Sequence, residues 1–168
     1  MSSCADTNPG SALTATGRTD PAIFEQAMAQ SDFLIVPSEG RVGPIRVGML
    51  LDEVVTTLGP PHSMSNYPQA IVGVEPGFAY YYDGGNFRVG FTPGAVPRVT
   101  QIEVFDPRFS TDRGIRIGTS TLFEVERTYG TPKEMKRYHI YYEAPGTPGL
   151  VFQREKQGYR VDLIVIWQ

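Results

Sequence analysis

Apolar positions recur along this 168-residue chain in two rhythms, one of helical spacing and one of strict alternation. Ile23, Phe24, Ala27 and Met28 stand at spacings that place them on one stripe of a helix. Thr19-Asp20-Pro21 marks its start, with a capping side chain followed by proline at the first helical position. The helix is predicted to run to about Gln30. Phe33-Leu34-Ile35-Val36 reads as a short buried strand or extended segment, closed by Pro37. Six later segments carry strand signals: 78–83, 86–92 and 99–105, then 138–143, 149–154 and 160–167. Phe87, Val89 and Phe91 share one face of their strand, as do Tyr138, Ile140 and Tyr142. Val161, Leu163, Val165 and Trp167 are likewise expected on one face. Asp83-Gly84-Gly85-Asn86 is a hairpin turn whose glycines permit positive φ. Antiparallel meanders of this kind bury one face under helices and can leave the other open.

Two stretches of the chain match each other. Ile45-Arg46-Val47-Gly48 corresponds to Ile115-Arg116-Ile117-Gly118. The run from Leu51 to Gly59-Pro60-Pro61 corresponds to the run from Leu122 to Gly130-Thr131-Pro132. The period is about 70 residues, the mark of a duplicated unit. Each copy predicts a short helix ended by glycine, with prolines beyond it. Thr121-Leu122-Phe123-Glu124 fits a capping box, whereas the first copy has no obvious side-chain cap. The expected fold is α+β: two tandem repeats, each a short helical segment followed by a three-stranded antiparallel meander, with the helices on one face of the sheet. The expected organisation is a flexible tail over 1–19, a helix and extended segment over 20–41, repeat 1 over 42–107 and repeat 2 over 108–168.

This pattern, Ile-x-Val/Ile-Gly, then Gly-x-Pro, then aromatic strands, resembles the BamE/SmpA-type outer-membrane lipoproteins. It is similar also to the tandem-repeat β-lactamase-inhibitor proteins. The resemblance spans roughly residues 42–168. It departs from the inhibitors in having no cysteine inside either repeat, and the first repeat lacks the Ser/Thr expected after Gly48. What it implies is an extracytoplasmic setting and a role in contacting other proteins rather than in catalysis.

Composition narrows the options. Net charge is -3, too weak to argue a polyanionic partner, and charged residues make up 20%. No run of 18 apolar residues is present, so no transmembrane segment is expected. The one cysteine, Cys4, excludes an internal disulfide and a four-cysteine zinc framework. Ser2-Ser3-Cys4 resembles the tail of a bacterial lipobox, making Cys4 a candidate for lipid attachment, with Met1 standing where a signal segment was removed. The alternative is an ordinary cytoplasmic start with an incidental cysteine. No P-loop, His-Glu-x-x-His or Gly-x-Ser-x-Gly motif occurs. His139 and Glu143 share a strand face but stand about 13 Å apart along an extended chain, too far for joint chemistry. No catalytic residue, metal or cofactor is expected, and the acidity argues against nucleic acid despite Lys133, Lys136 and Arg137.

Two features point to a binding role. The loop 62–77 is long and apolar, carrying Met64, Tyr67, Ile71, Val72 and Val74. It either folds back over the core edge or contacts a partner. Alternation also puts Tyr81, Arg88, Gln101, Glu103, His139 and Tyr141 on the face opposite Tyr80 and Tyr82. Tyrosines on an open sheet suit binding, since they join apolar area to a hydroxyl; otherwise they pair across strands or lie under the N-terminal segment. The expected function is a non-enzymatic extracytoplasmic protein-binding or scaffold lipoprotein of the bacterial envelope, contacting its partner through Tyr81, Arg88, His139, Tyr141, Met64, Tyr67 and Ile71. Alternatives are a proteinaceous enzyme inhibitor, a structural subunit of an envelope assembly, and a hydrolase with an unrecognised site.

Overall fold

Local chemistry at the chain's helix starts sets where the fold begins. The structure is a computed structural model that describes residues 20–66 and 77–168. The Asp20 carboxylate accepts the Ala22 N–H at 3.0 Å and opens α1 (Pro21–Ala29), with proline where no amide partner is needed. In α2 (Leu51–Leu58), Leu50 offers no acceptor, and only the Glu53 carboxylate turns back, to the Leu50 N–H at 2.8 Å. In α3 (Leu122–Tyr129) the reciprocal pair is complete: Thr121 Oγ1 accepts the Glu124 N–H, and Glu124 accepts the Thr121 N–H at 2.7 Å. Thr121→Ala is therefore expected to cost about 1 kcal/mol, read as a lowered urea midpoint at unchanged slope. Both short helices stop at a glycine of positive φ, 77° at Gly59 and 82° at Gly130. A tyrosine hydroxyl then meets each freed carbonyl: Tyr82 donates to Gly59 O at 3.2 Å and Tyr142 to Gly130 O at 3.1 Å.

The strands are β1 (Leu34–Val36), β2 (Arg41–Val42), β3 (Ile45–Arg46), β4 (Ser63–Asn66), β5 (Phe78–Tyr82), β6 (Phe87–Phe91), β7 (Val99–Val104), β8 (Ser110–Thr111), β9 (Glu134–Met135), β10 (His139–Tyr142), β11 (Gly149–Arg154) and β12 (Val161–Trp167). The protein is α+β, with three helices and two sheets among the described residues. A small sheet of order β3-β2-β1-β8 contains one parallel pair, β1 with β8. The main sheet is antiparallel throughout, in the order β4-β5-β6-β7-β12-β11-β10-β9. The two predicted meanders thus share one sheet, joined where β7 pairs β12 from Val104↔Ile164 to Gln101↔Trp167. The edge strands β4 and β9 were not predicted. They arise within 62–77 and 133–137, which read as loops because Ser-Met-Ser-Asn and Glu-Met carry no alternating apolar signal.

Two β-bulges decide which side chains face the helices. Thr100 is an extra residue in β7 opposite Gly90/Phe91, and Asp162 is an extra residue in β12 opposite Gln153/Arg154. Each reverses the alternation of its strand. Val161 therefore does not share a face with Leu163, Val165 and Trp167, contrary to the expectation from spacing. Val161, Ile164 and Ile166 join the main core; Leu163, Val165 and Trp167 lie on the other side. The main core gathers Phe24 and Met28 of α1, Val54 and Leu58 of α2, and Val125 of α3. These meet Tyr80, Tyr82, Phe87, Val89, Ile102, Ile140 and Phe152 of the sheet. Phe87 packs edge-on to Phe24, with ring centres 5.3 Å apart, and Phe152 meets Tyr129 at 5.2 Å.

Candidate functional site

The second face of the main sheet carries its own small cluster. Val151, Leu163, Val165 and Trp167 are buried there, packed with Phe105 and Tyr141; all but Phe105 belong to strands. Trp167 lies flat across β11, because Gly149 beneath it has no side chain. A Cβ at Gly149 would stand 2.2 Å from the indole ring. Gly149→Ala is expected to lift the ring toward water. Trp167 is the only tryptophan in the chain, so a red shift of the protein's emission reports it; unchanged emission would refute the packing.

Beside this cluster, Arg88 of β6 lies against two rings, its guanidinium carbon 5.3 Å from the centre of Tyr81 and 4.4 Å from that of Phe105. It also reaches Glu103 at 3.4 Å, and Gln101 donates to the same carboxylate from its side-chain amide. Tyr81 pairs with Arg88 across β5 and β6, and its hydroxyl lies 2.7 Å from Ser65 Oγ of β4. At the far end of the face, His139 Nε2 lies 2.7 Å from the side-chain amide of Gln153. Gln153 passes the chain on to Asp162 at 3.5 Å. Burial pushes the Asp162 carboxyl up from its ordinary range. Lys136 Nζ sits 5.2 Å from the Tyr141 ring centre.

The predicted residues therefore fall into separate groups. Tyr81 and Arg88 come together at one end, and His139 and Tyr141 at the other. Five strand spacings separate β5 from β10, or about 24 Å. The centre is less open than alternation suggests: Gln101 and Glu103 are only 2% and 3% exposed. Met64 does not join this face. It pairs with Tyr80 and points to the helix side, where it lines a cavity with Phe78 and Tyr80. Directly paired residues project from the same side of a sheet, so Ser63 and Ser65, not Met64, accompany Tyr81. Tyr67 and Ile71 of the long segment, and Cys4, lie outside the described residues.

Sequence reasoning missed one ionic centre. Arg108 grips the Asp106 carboxylate through Nε at 2.8 Å and also through Nη2. It reaches Glu25 of α1 at 2.6 Å through Nη1 and Asp83 at 3.3 Å through Nη2. Its guanidinium carbon lies 4.7 Å from the Phe33 ring centre. Burial and a hydrogen bond with Asp106 push the Asp83 carboxyl up. Burial acts on Asp106 in the same sense, but hydrogen bonds from Arg108 outweigh it and hold that carboxyl below its usual range. Asp106 and Arg108 stand two apart in the sequence, but Glu25 lies 83 residues from Arg108, a pairing no local pattern announces.

Chemically, the second face offers stacked cations, amides and tyrosine hydroxyls. The His139 imidazole faces the Gln153 side chain, and at the other end the His62 Nδ1 lies 3.3 Å from Ser63 Oγ. Among the described residues no group of three or more His, Cys, Asp or Glu side chains is placed to hold a metal ion. No helix there is long and apolar enough to cross a membrane. No family model matches this chain, and neither a curated protein nor a solved structure does so.

Proposed function

We propose that the chain is a tandem duplication of one α/β unit and acts as a non-enzymatic protein-binding or scaffold protein, holding a protein partner on the second face of its main sheet. The observation that carries the binding reading is the make-up of that face. Its buried apolar centre around Trp167 is flanked at either end by a part-exposed tyrosine with a neighbouring cation, Tyr81 with Arg88 and Tyr141 with Lys136. The buried side chains of the three helices all belong to the opposite cluster. Aromatic and arginine side chains around an apolar centre are what protein interfaces are enriched in.

Matched hydrogen bonds support the duplication. Gly48 N–H donates to Val99 O at 2.7 Å, as Gly118 N–H does to Val161 O. Arg98 reaches Gly48 O at 3.0 Å, and Arg160 reaches Gly118 O at 3.4 Å. His62 N–H donates to Tyr81 O at 2.9 Å, and Lys133 N–H to Tyr141 O at 2.8 Å. The bulges at Thr100 and Asp162 directly follow the two residues that receive the glycine bonds.

An envelope setting rests on Ser2-Ser3-Cys4 and on the resemblance to lipoproteins of the BamE/SmpA type. Mass spectrometry of the protein from its source is expected to find Cys4 acylated and amino-terminal; a free Cys4 behind an intact Met1 removes the envelope setting. The binding face is tested by photo-crosslinking in the source organism from positions 81 and 141, with position 112 as an exposed control. Adducts with the same protein from 81 and 141, lost on Arg88→Ala, are expected. Adducts from 112 alone, or none from either face position, would sink the reading.

A further inference from the structure

A second surface lies where α3 starts and the β11–β12 hairpin turns. Phe123, in the first turn of α3, is 72% exposed, and Tyr159, in the hairpin, is 79% exposed. With Thr121, Leu122 and Arg154 they line a cleft of about 350 Å³. Two large rings held this far into water bring no core stability, since burial is what makes an aromatic ring stabilising. The hairpin behind them is pinned. Arg154 donates to the carbonyls of Arg137, at 3.2 Å, Glu155, at 3.1 Å, and Gly158. Its guanidinium carbon lies 4.9 Å from the centre of Tyr138 and 5.7 Å from that of Tyr159, and Arg137 stands 5.2 Å from the centre of the same Tyr138. The cleft is therefore an aromatic wall lined also by Arg154, with Arg160 next to Tyr159 in the chain and Arg137 beside Tyr138.

Among the described residues, Arg137, Arg154, Lys156 and Arg160 pair with no carboxylate. The charge bias is regional: residues 108–168 hold ten Lys and Arg against seven Asp and Glu, whereas residues 1–107 hold five against eleven. A corresponding cleft in the first half is lined by Leu50, Leu51, Asp52, Ala95, Val96 and Pro97. There Asp52 stands where the sequence match puts Phe123, and no aromatic ring or cation lines it. The aromatic and cationic character thus belongs to the second half alone and is not required by the helix start itself.

We propose that the Phe123–Tyr159 cleft docks an acidic, extended protein segment that inserts one apolar side chain between the two rings. The two exposed rings offer an apolar side chain a surface to pack on, and the unpaired cations of the hairpin complement flanking carboxylates. A nucleic acid has the same sign of charge but meets a chain whose first half is strongly acidic, which disfavours a long polyanion. This site is separate from the second face of the main sheet and stands or falls without it.

The probe is a phage-displayed library of random 12-residue peptides, panned on the full chain and, in parallel, on Phe123→Ala/Tyr159→Ala. Both substituted residues are exposed, so the variant's fold is checked by unchanged Trp167 emission. Selected peptides are expected to place Asp or Glu on both sides of one apolar residue. Synthetic versions should bind the wild type at least tenfold tighter than the double variant, and weaken severalfold on Arg137→Gln/Arg160→Gln and on raising salt. A 12-nucleotide single strand and vesicles of anionic lipid serve as competitors and are expected to displace the peptide poorly. Selected peptides that are neutral or basic, or that bind both proteins equally, would overturn the proposal. So would failure to enrich any sequence over the double variant, or an oligonucleotide or vesicle that displaces the peptide at lower concentration than the peptide itself.

Discussion

Phe87→Ala is expected to lower stability by about 3–5 kcal/mol, the range for removing a fully buried ring and leaving its cavity. Phe87 is shielded from water and touches Phe24 of α1, Tyr82 of β5 and Phe109, so three separate stretches of chain lose a common contact. Phe152→Ala should cost a similar amount, because Phe152 does for Tyr129 and Tyr142 what Phe87 does for its neighbours. The two variants also test whether the sheet is one cooperative body. The β7–β12 ladder and the shared core couple the halves, so Phe87→Ala should shift the denaturation curve read at Trp167, which lies in the other half. Far-UV circular dichroism and tryptophan emission should give one coincident transition in each variant. A Trp167 transition that stays at the wild-type midpoint in Phe87→Ala would show that the halves unfold independently.

Arg108→Met should cost about 2–3 kcal/mol near neutral pH. This lies below the roughly 3–5 kcal/mol for a deeply buried pair, because the Arg108 side chain is 40% exposed whereas Asp106 is 5% exposed. The loss should depend on pH in a definite direction. In the wild type, Asp106 has a lowered pKa, so its contribution is complete above the unfolded carboxyl range and fades as pH falls through its folded value. Asp83 is raised, so its contribution is complete below that range and fades as pH climbs through its folded value. Without the guanidinium, Asp106, Asp83 and Glu25 are left facing one another, and the folded state takes up protons more readily than the unfolded chain. The urea midpoint of Arg108→Met should therefore approach that of the wild type between pH 7 and pH 4.5. A gap that widens on acidification would contradict the ionic account.

Much of the local structure was legible along the chain. The alternation put Phe87, Val89 and Phe91 on one face and Tyr138, Ile140 and Tyr142 on another; the first three and Ile140 are core residues, Tyr142 is partly buried against the core, and Tyr138 is not among them. Asp20-Pro21, Thr121–Glu124 and the paired glycines set helix starts and ends through contacts that reach only a few residues. Backbone geometry of this kind is decided by near neighbours, so periodicity and capping chemistry suffice to read it.

What the chain's pattern could not announce depends on partners distant in sequence. The extra residues Thr100 and Asp162 look ordinary until β6 and β11 set the register opposite them, and they send Trp167 to the face expected to be outside the core. The edge strands β4 and β9 exist only because β5 and β10 offer free backbone groups beside them. Alternation put Tyr81 and Tyr141 on one side, but only the order of strands set them about 24 Å apart. Arg108 found Glu25 through the same long-range closure. Sequence spacing constrains direction along a strand, whereas distance across a sheet is a property of which strands pair, and that is settled when the whole core closes.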